Sequence, residues 1–166
     1  MNVNAYVCLR ADVIGSRGTR KAALLPEIAQ ALNARMQTDS LIPFTPRAGD
    51  ELFAVFGSIQ SGYQAFRWLH RQAHAHQLGF YVGFGVGGIE DAISADSERI
   101  NGPAIWRASD ALDELKREPF SEVLKIISKR DFRYNLHGSD DSAINLALET
   151  YLYFVMQKVE SRTVQQ

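Results

Sequence analysis

The 166-residue chain holds one cysteine, Cys8, so no intramolecular disulfide can form, and a cross-linked extracellular scaffold is excluded. A reducing cytoplasm fits that usage best. Long apolar runs are missing too: none approaches the roughly 18 residues that cross a bilayer. The opening Met1-Asn2-Val3-Asn4 carries no basic residue, and Arg10 and Asp12 soon interrupt the first apolar stretch, so no signal peptide is expected. Net charge is almost absent. The 18 Lys+Arg against 19 Asp+Glu leave -1, which speaks against a generally basic nucleic-acid binder and against an acidic disordered tail. There is no internal repeat and no low-complexity stretch. What remains is an ordinary globular composition, 46% hydrophobic and 22% charged, at the length of a single domain.

The charge is unevenly placed. Residues 1–83 carry 8 basic and 5 acidic side chains, and residues 84–166 carry 10 and 14. An anionic ligand would favour the first half, although such a difference also arises from solvated faces.

Local patterns predict the elements. Ala5 to Ile14 is rich in β-formers and reads as a buried strand, broken by Gly15, Ser16 and Gly18. Thr19 suits an N-cap, and Leu25, Ile28, Ala29, Leu32 and Met36 recur at helical spacing. Pro26 falls in the first turns of that helix, where its missing N–H costs least. Leu41 to Arg47 is extended, with prolines that demote it to an edge, and Leu52 to Phe56 is a clean apolar strand. Ala48-Gly49-Asp50-Glu51 between them is short enough for a hairpin tip. A helix over about 61–76, a strand over 78–86 and a helix from Pro103 come next. A short helix or strand is expected near Val123 to Ile127. A last helix is expected from Ser142 to about Val159, with Ile144, Leu148, Leu152, Val155 and Val159 inward. The order β-α-β-β-α-β predicts an α+β fold with a ferredoxin-like palm over residues 1–118. Residues 119–166 are expected to form a C-terminal helical extension, packed on the palm or on a partner.

In that topology strands one and three are neighbours at the sheet centre. Asp12, at the end of strand one, then lies beside Asp50, at the hairpin tip. Two carboxylates brought together repel each other and resist desolvation, and a divalent cation removes both penalties. Mg²⁺ is typically held by one or two carboxylates plus nucleotide phosphates, and such a site supports in-line phosphoryl or nucleotidyl transfer. Asp12 and Asp50 are therefore the candidate metal ligands and, with Glu51, the candidate catalytic acids. Glu51 stands in support because an extended backbone turns its side chain away from that of Asp50. Gly15, Ser16, Arg17 and Gly49 are the candidate phosphate contacts, since glycines let the backbone approach closely. The structural alternative is that Asp12 caps a turn and Gly49-Asp50 is an ordinary turn dipeptide.

Ala11-Asp12-Val13-Ile14-Gly15-Ser16-Arg17 resembles the GDI(I/V)xSR opening of the SatD family of small bacterial proteins. Ala48-Gly49-Asp50-Glu51-Leu52 is similar to its GDEF segment, and Phe84-Gly85-Val86-Gly87 followed by Asn101-Gly102-Pro103-Ala104 to its GIG…DGPA pair. Order and spacing match over roughly residues 5–117. A more distant resemblance runs to GGDEF diguanylate cyclases and class III nucleotidyl cyclases. It implies a cyclase-like palm that binds Mg²⁺ (or Mn²⁺) at Asp12 and Asp50 and a nucleoside triphosphate beside residues 12–17 and Gly49. The first glycine of the GGDEF signature is Ala48 here. The helix positions that carry Asn and Arg in class III cyclases align with Trp106 and Asp110, neither of which stabilises phosphate charge as Arg does.

Other side chains have plainer readings. His70, His74 and His76 lie at a polar helix end, where imidazoles interact well with the dipole. Arg17, Arg20 and Lys21 either contact phosphates or form a solvated first turn. Arg10 and Arg47 are read as partners of acids and left out of the site. Trp68, Trp106, Tyr151, Tyr153 and Phe154 are read mostly as core, yet aromatics on several sides of the last helix suggest burial against a second chain, a homodimer, or another domain. Ser161 to Gln166 resembles the approach to a helix-turn-helix tail in SatD-like proteins, and DNA binding by these residues alone is not expected. Two further function classes stand beside the nucleotide-binding one. One is a non-catalytic sensor module linked to transcription or stress response. The other is a purely structural interaction domain.

Overall fold

A computed structural model of the chain describes residues 5–17, 20–36, 40–90, 97–117 and 132–163. Strand β1 (Tyr6–Val13) is central because both of its faces are apolar. Val7, Leu9, Ala11 and Val13 are buried on one side and Cys8 on the other. Burial pushes the Cys8 thiol well above its ordinary pKa. With β2 (Ser40–Arg47), β3 (Glu51–Phe56), β4 (Phe80–Gly87) and β5 (Phe132–His137), it forms a sheet in the order β2-β3-β1-β4-β5. Neighbours are antiparallel except β4 and β5, which are parallel. The result is an α+β protein with a mostly antiparallel sheet. Pro43 and Pro46 lie in β2 at the edge, where a missing ladder donor is tolerated.

Helices cover both faces. A 3₁₀ turn at Lys21–Leu24 leads into α1 (Leu25–Arg35), and Ser58 caps α2 (Ile59–Ala75) by accepting the Ser61 N–H at 3.1 Å. Both helices bury their apolar stripes on the Val7–Leu9–Ala11 face. On the opposite face, Ala104 and Ala108 of α3 (Pro103–Arg117) pack with Cys8, Phe53 and Val55. This helix lies almost on the backbone of β4. A Cβ on Gly85 would collide with the Ala104 carbonyl and the Ala108 amide, and one on Gly83 with the Ala108 carbonyl.

Residues after 118 depart from the expectation of helices alone. The alternation Phe132-Arg133-Tyr134-Asn135-Leu136-His137 makes a fifth strand, with Phe132 and Leu136 in the core. The element expected near 123–127, the Thr19 cap and Gly18 lie outside the described residues, as does the tail after 163. Helix α4 (Ser142–Thr163) is rotated from the expected orientation. Leu152 and Met156 are buried, whereas Ile144 is 48% and Leu148 39% exposed. Asn145 explains the rotation. Its Oδ1 accepts the Gly138 and Ser139 N–H groups, both at 2.9 Å, and its Nδ2 donates to the Ser139 carbonyl at 2.8 Å. Holding the β5–α4 turn this way brings Asn145 inward and carries positions 152 and 156 with it. Trp106, Tyr151 and Phe154 are likewise exposed rather than core. The Val159 side chain lies outside the description.

Candidate functional site

The site forms where β1 ends beside the β2–β3 turn. Side chains alternate across the sheet, so Cys8, Arg10 and Asp12 share the α3 face. Asp12 stands opposite Glu51 on β3 and Tyr81 on β4, and the next amide, Val13 N–H, donates to the Asp50 carbonyl at 3.0 Å. Asp12, Asp50 and Glu51 therefore lie at the same end of the sheet, with Asp12 and Glu51 on the α3 face. Gly15 (φ 68), Ala48 (φ 49) and Gly49 (φ 88) turn the two loops through left-handed backbone. The alanine at 48 thus occupies a conformation that suits glycine, the residue the resemblance leads one to expect there. Lys21 Nζ comes within 4.0 Å of the point where a Cβ on Gly15 would stand, so a cation lies against that loop. Arg17 and Arg20 are exposed nearby.

Each acid has its own partner. The Lys116 ammonium at the end of α3 lies 2.6 Å from Asp12 Oδ2. Ser16 Oγ donates to Asp50 Oδ2 at 2.7 Å. Glu51 accepts from Arg10 twice, Nε to Oε1 at 3.0 Å and Nη2 to Oε2 at 2.6 Å, while Arg10 Nη1 donates to Ser109 Oγ at 2.6 Å. Burial alone would lower the Arg10 pKa, but the hydrogen bond and charge of Glu51 prevail and raise it above its ordinary value.

Magnitudes separate the three acids. The Lys116–Asp12 pair is a single contact between side chains 39% and 16% exposed, more open than the Arg10–Glu51 fork and held by one bond rather than two. The Asp50–Ser16 bond is a single hydroxyl contact. The Arg10–Glu51 fork is bidentate, and the Glu51 side chain is only 9% exposed, so opening it costs about 3–5 kcal/mol. Asp12 and Asp50 are therefore exchangeable oxygen donors, and Glu51 is committed to Arg10. Carboxylates with a neighbouring hydroxyl match in type what a hard dication takes. Among the described residues no three His, Cys, Asp or Glu side chains are grouped to hold a metal by themselves. A cation here would need ligand or solvent oxygens as well, as Mg²⁺ commonly does.

Sequence reasoning missed Lys116 and Ser109. Lys116 lies far along the chain from Asp12, and no local pattern links the two. Arg10 was recognisable as a partner of an acid, and its parity with Asp12 marks the face. Arg47 pairs with Glu98 at 3.4 Å. Trp106 donates to Asn101 Oδ1 at 2.6 Å and is half exposed. Arg107 is turned away from Asp12, donating to the Val86 carbonyl and to Asp140, each at 2.8 Å. His70 packs edge-on against Phe132 at 4.7 Å, and His74 is exposed. A separate open groove of about 320 Å³ runs between α3 and the β5–α4 turn, and none of Asp12, Asp50 or Glu51 lines it. Among the described residues no helix is long and apolar enough to cross a membrane. No protein-family model matches the chain, and no curated protein matches it.

Proposed function

We propose that this chain is a cytoplasmic, Mg²⁺-dependent nucleotide-binding protein built on a ferredoxin-like, cyclase-type palm of the SatD kind. The observation that carries the reading is the placement of Asp12 and Asp50 at the same end of the sheet, where the Val13 N–H donates to the Asp50 carbonyl at 3.0 Å. Supporting it are the strand order β2-β3-β1-β4 and the two glycine-turned loops beside the acids. In this reading Asp12 and Asp50 hold Mg²⁺ or Mn²⁺. The cation, when bound, neutralises triphosphate charge. Gly15, Ser16, Arg17 and Gly49 line the phosphates, and Lys116 leaves Asp12 as the cation arrives. Glu51 braces β3 through Arg10 rather than acting as a ligand.

A second reading, a sensor that binds nucleotide without turnover, is favoured by Trp106 and by the tethered Arg107. Neither offers a cationic group to a developing phosphate charge. One experiment tests both. The protein is incubated with each nucleoside triphosphate in Mg²⁺ and then Mn²⁺. Products are read by mass spectrometry and binding by calorimetry, with Asp12→Asn and Asp50→Asn alongside. Each variant is expected to weaken cation-dependent nucleotide binding at least tenfold. A cyclic or linked product lost in both variants establishes nucleotidyl transfer or cyclisation, and binding without product establishes the sensor. Affinity unchanged by Asp50→Asn removes the site from this end of the sheet.

A further inference from the structure

Helix α4 is apolar on nearly every side, yet among its described side chains only Leu152 and Met156 are buried. Beside that core edge, the exposed Ile144, Leu148 and Tyr151 and the half-buried Val155 succeed one another at spacings of four, three and four. At 100° per residue these four fall within a stripe about 60° wide, the seam geometry of a helix pair. Ile144 is 48%, Leu148 39% and Tyr151 71% exposed, and Phe154, at 61%, flanks the stripe. A helix with this pattern ordinarily buries it against another helix.

We infer that the α4 seam is a homodimer interface in which two copies of the helix pair antiparallel about a two-fold axis between Leu148 and Tyr151. The stripe is self-complementary in that arrangement. Ile144 lies opposite Val155 of the second copy and Leu148 opposite its Tyr151, so every layer is apolar. The next layer decides the direction. Continued by one step, the antiparallel register sets Lys158 of each copy opposite Asp141 of the other, the residue before the helix, whose Oδ1 also accepts the Ala143 N–H at 2.8 Å. A parallel pair would stack Lys158 on its own copy. Antiparallel packing also opposes the two helix dipoles. Tyr151, 71% exposed, and Phe154, 61% exposed at the flank, contribute aromatic area toward the roughly 800 Å² that each partner gives a standard interface.

Sedimentation equilibrium of the intact protein from ~1 to ~100 μM, the range where an interface of modest area dissociates, tests the inference. A reversible dimer is expected. Tyr151→Glu should shift dissociation at least tenfold with an unchanged far-ultraviolet circular dichroism spectrum, since the ring is solvent-facing. Lys158→Glu should weaken the dimer, and Lys158→Gln should weaken it less. Oxidative cross-linking reports direction, because Cys8 is buried and does not compete. The Ile144→Cys/Val155→Cys double variant should cross-link, and Ile144→Cys alone should not. A monomer throughout, a dimer indifferent to Tyr151→Glu, or cross-linking by Ile144→Cys alone would each overturn the inference.

Discussion

Arg10 is the residue on which the reading of the acids turns. Its guanidinium spans β1, β3 and α3, gripping both Glu51 oxygens and the Ser109 hydroxyl. Arg10→Met would leave a nearly buried carboxylate without its cation, so a loss of about 3 kcal/mol in urea unfolding is expected. Arg10→Met combined with Glu51→Leu should recover most of that loss, because no charge is then left unpaired. The Lys116 end behaves differently. Its single contact to Asp12 is more open than the fork, so Lys116→Met should cost less stability than Arg10→Met. A loss under about 1 kcal/mol for Arg10→Met would mean that the fork is as exchangeable as the lysine pair, and Glu51 would rejoin the candidate ligands. That Asp12, Asp50 and Glu51 fall at one end of the sheet was legible in the sequence. Their partners were not, because strand parity and the reach of Lys116 depend on which helix covers which face.

At the scale of elements, the α3–β4 contact shows how the sheet admits a helix at backbone distance. Gly83 and Gly85 sit two apart, so both bare the same face of β4, and Ala104 and Ala108 meet them with small side chains. Gly85→Ala would drive a methyl into the Ala104 carbonyl, a rigid backbone atom, and the helix would have to lift. Overpacking against side chains costs about 1–3 kcal/mol, and a backbone obstacle places this case at the upper end or beyond. Gly88→Ala, with nothing within 4 Å, is the control and should change thermal unfolding little. If both variants melt alike, α3 is not seated as described. The strands and helices up to residue 117 were readable because alternation and helical stripes persist over whole elements. Strand β5 escaped because six residues with one buried polar side chain, Asn135, make a weak pattern. The orientation of α4 escaped because its apolar residues point everywhere, and the polar Asn145 sets the rotation.

Across the whole molecule, the first four strands could form a unit of their own or fold only together with β5 and α4. The packing argues for one cooperative unit. Phe132 and Tyr134 touch the Phe66 ring at 5.7 and 5.2 Å, and Leu136, Leu152 and Met156 complete the same core as Val7, Leu9 and Phe84. At about 1.5–3 kcal/mol for each buried apolar side chain, Phe132, Leu136, Leu152 and Met156 alone contribute roughly 6–12 kcal/mol. That is a gross burial term, offset by the entropy of ordering those residues, but it is large beside the net stability of a typical domain, about 5–15 kcal/mol. Ending the chain after Arg117 would also strip β4 of its parallel neighbour and leave Phe66 and Phe84 facing water beside an open sheet edge. Such a fragment should bind a hydrophobic dye strongly, lose its near-ultraviolet circular dichroism and unfold without a sharp transition. The intact chain should melt in one step that includes α4. A fragment that melts cooperatively near the intact temperature would instead make the first four strands an independent unit, with β5 and α4 as a detachable cover.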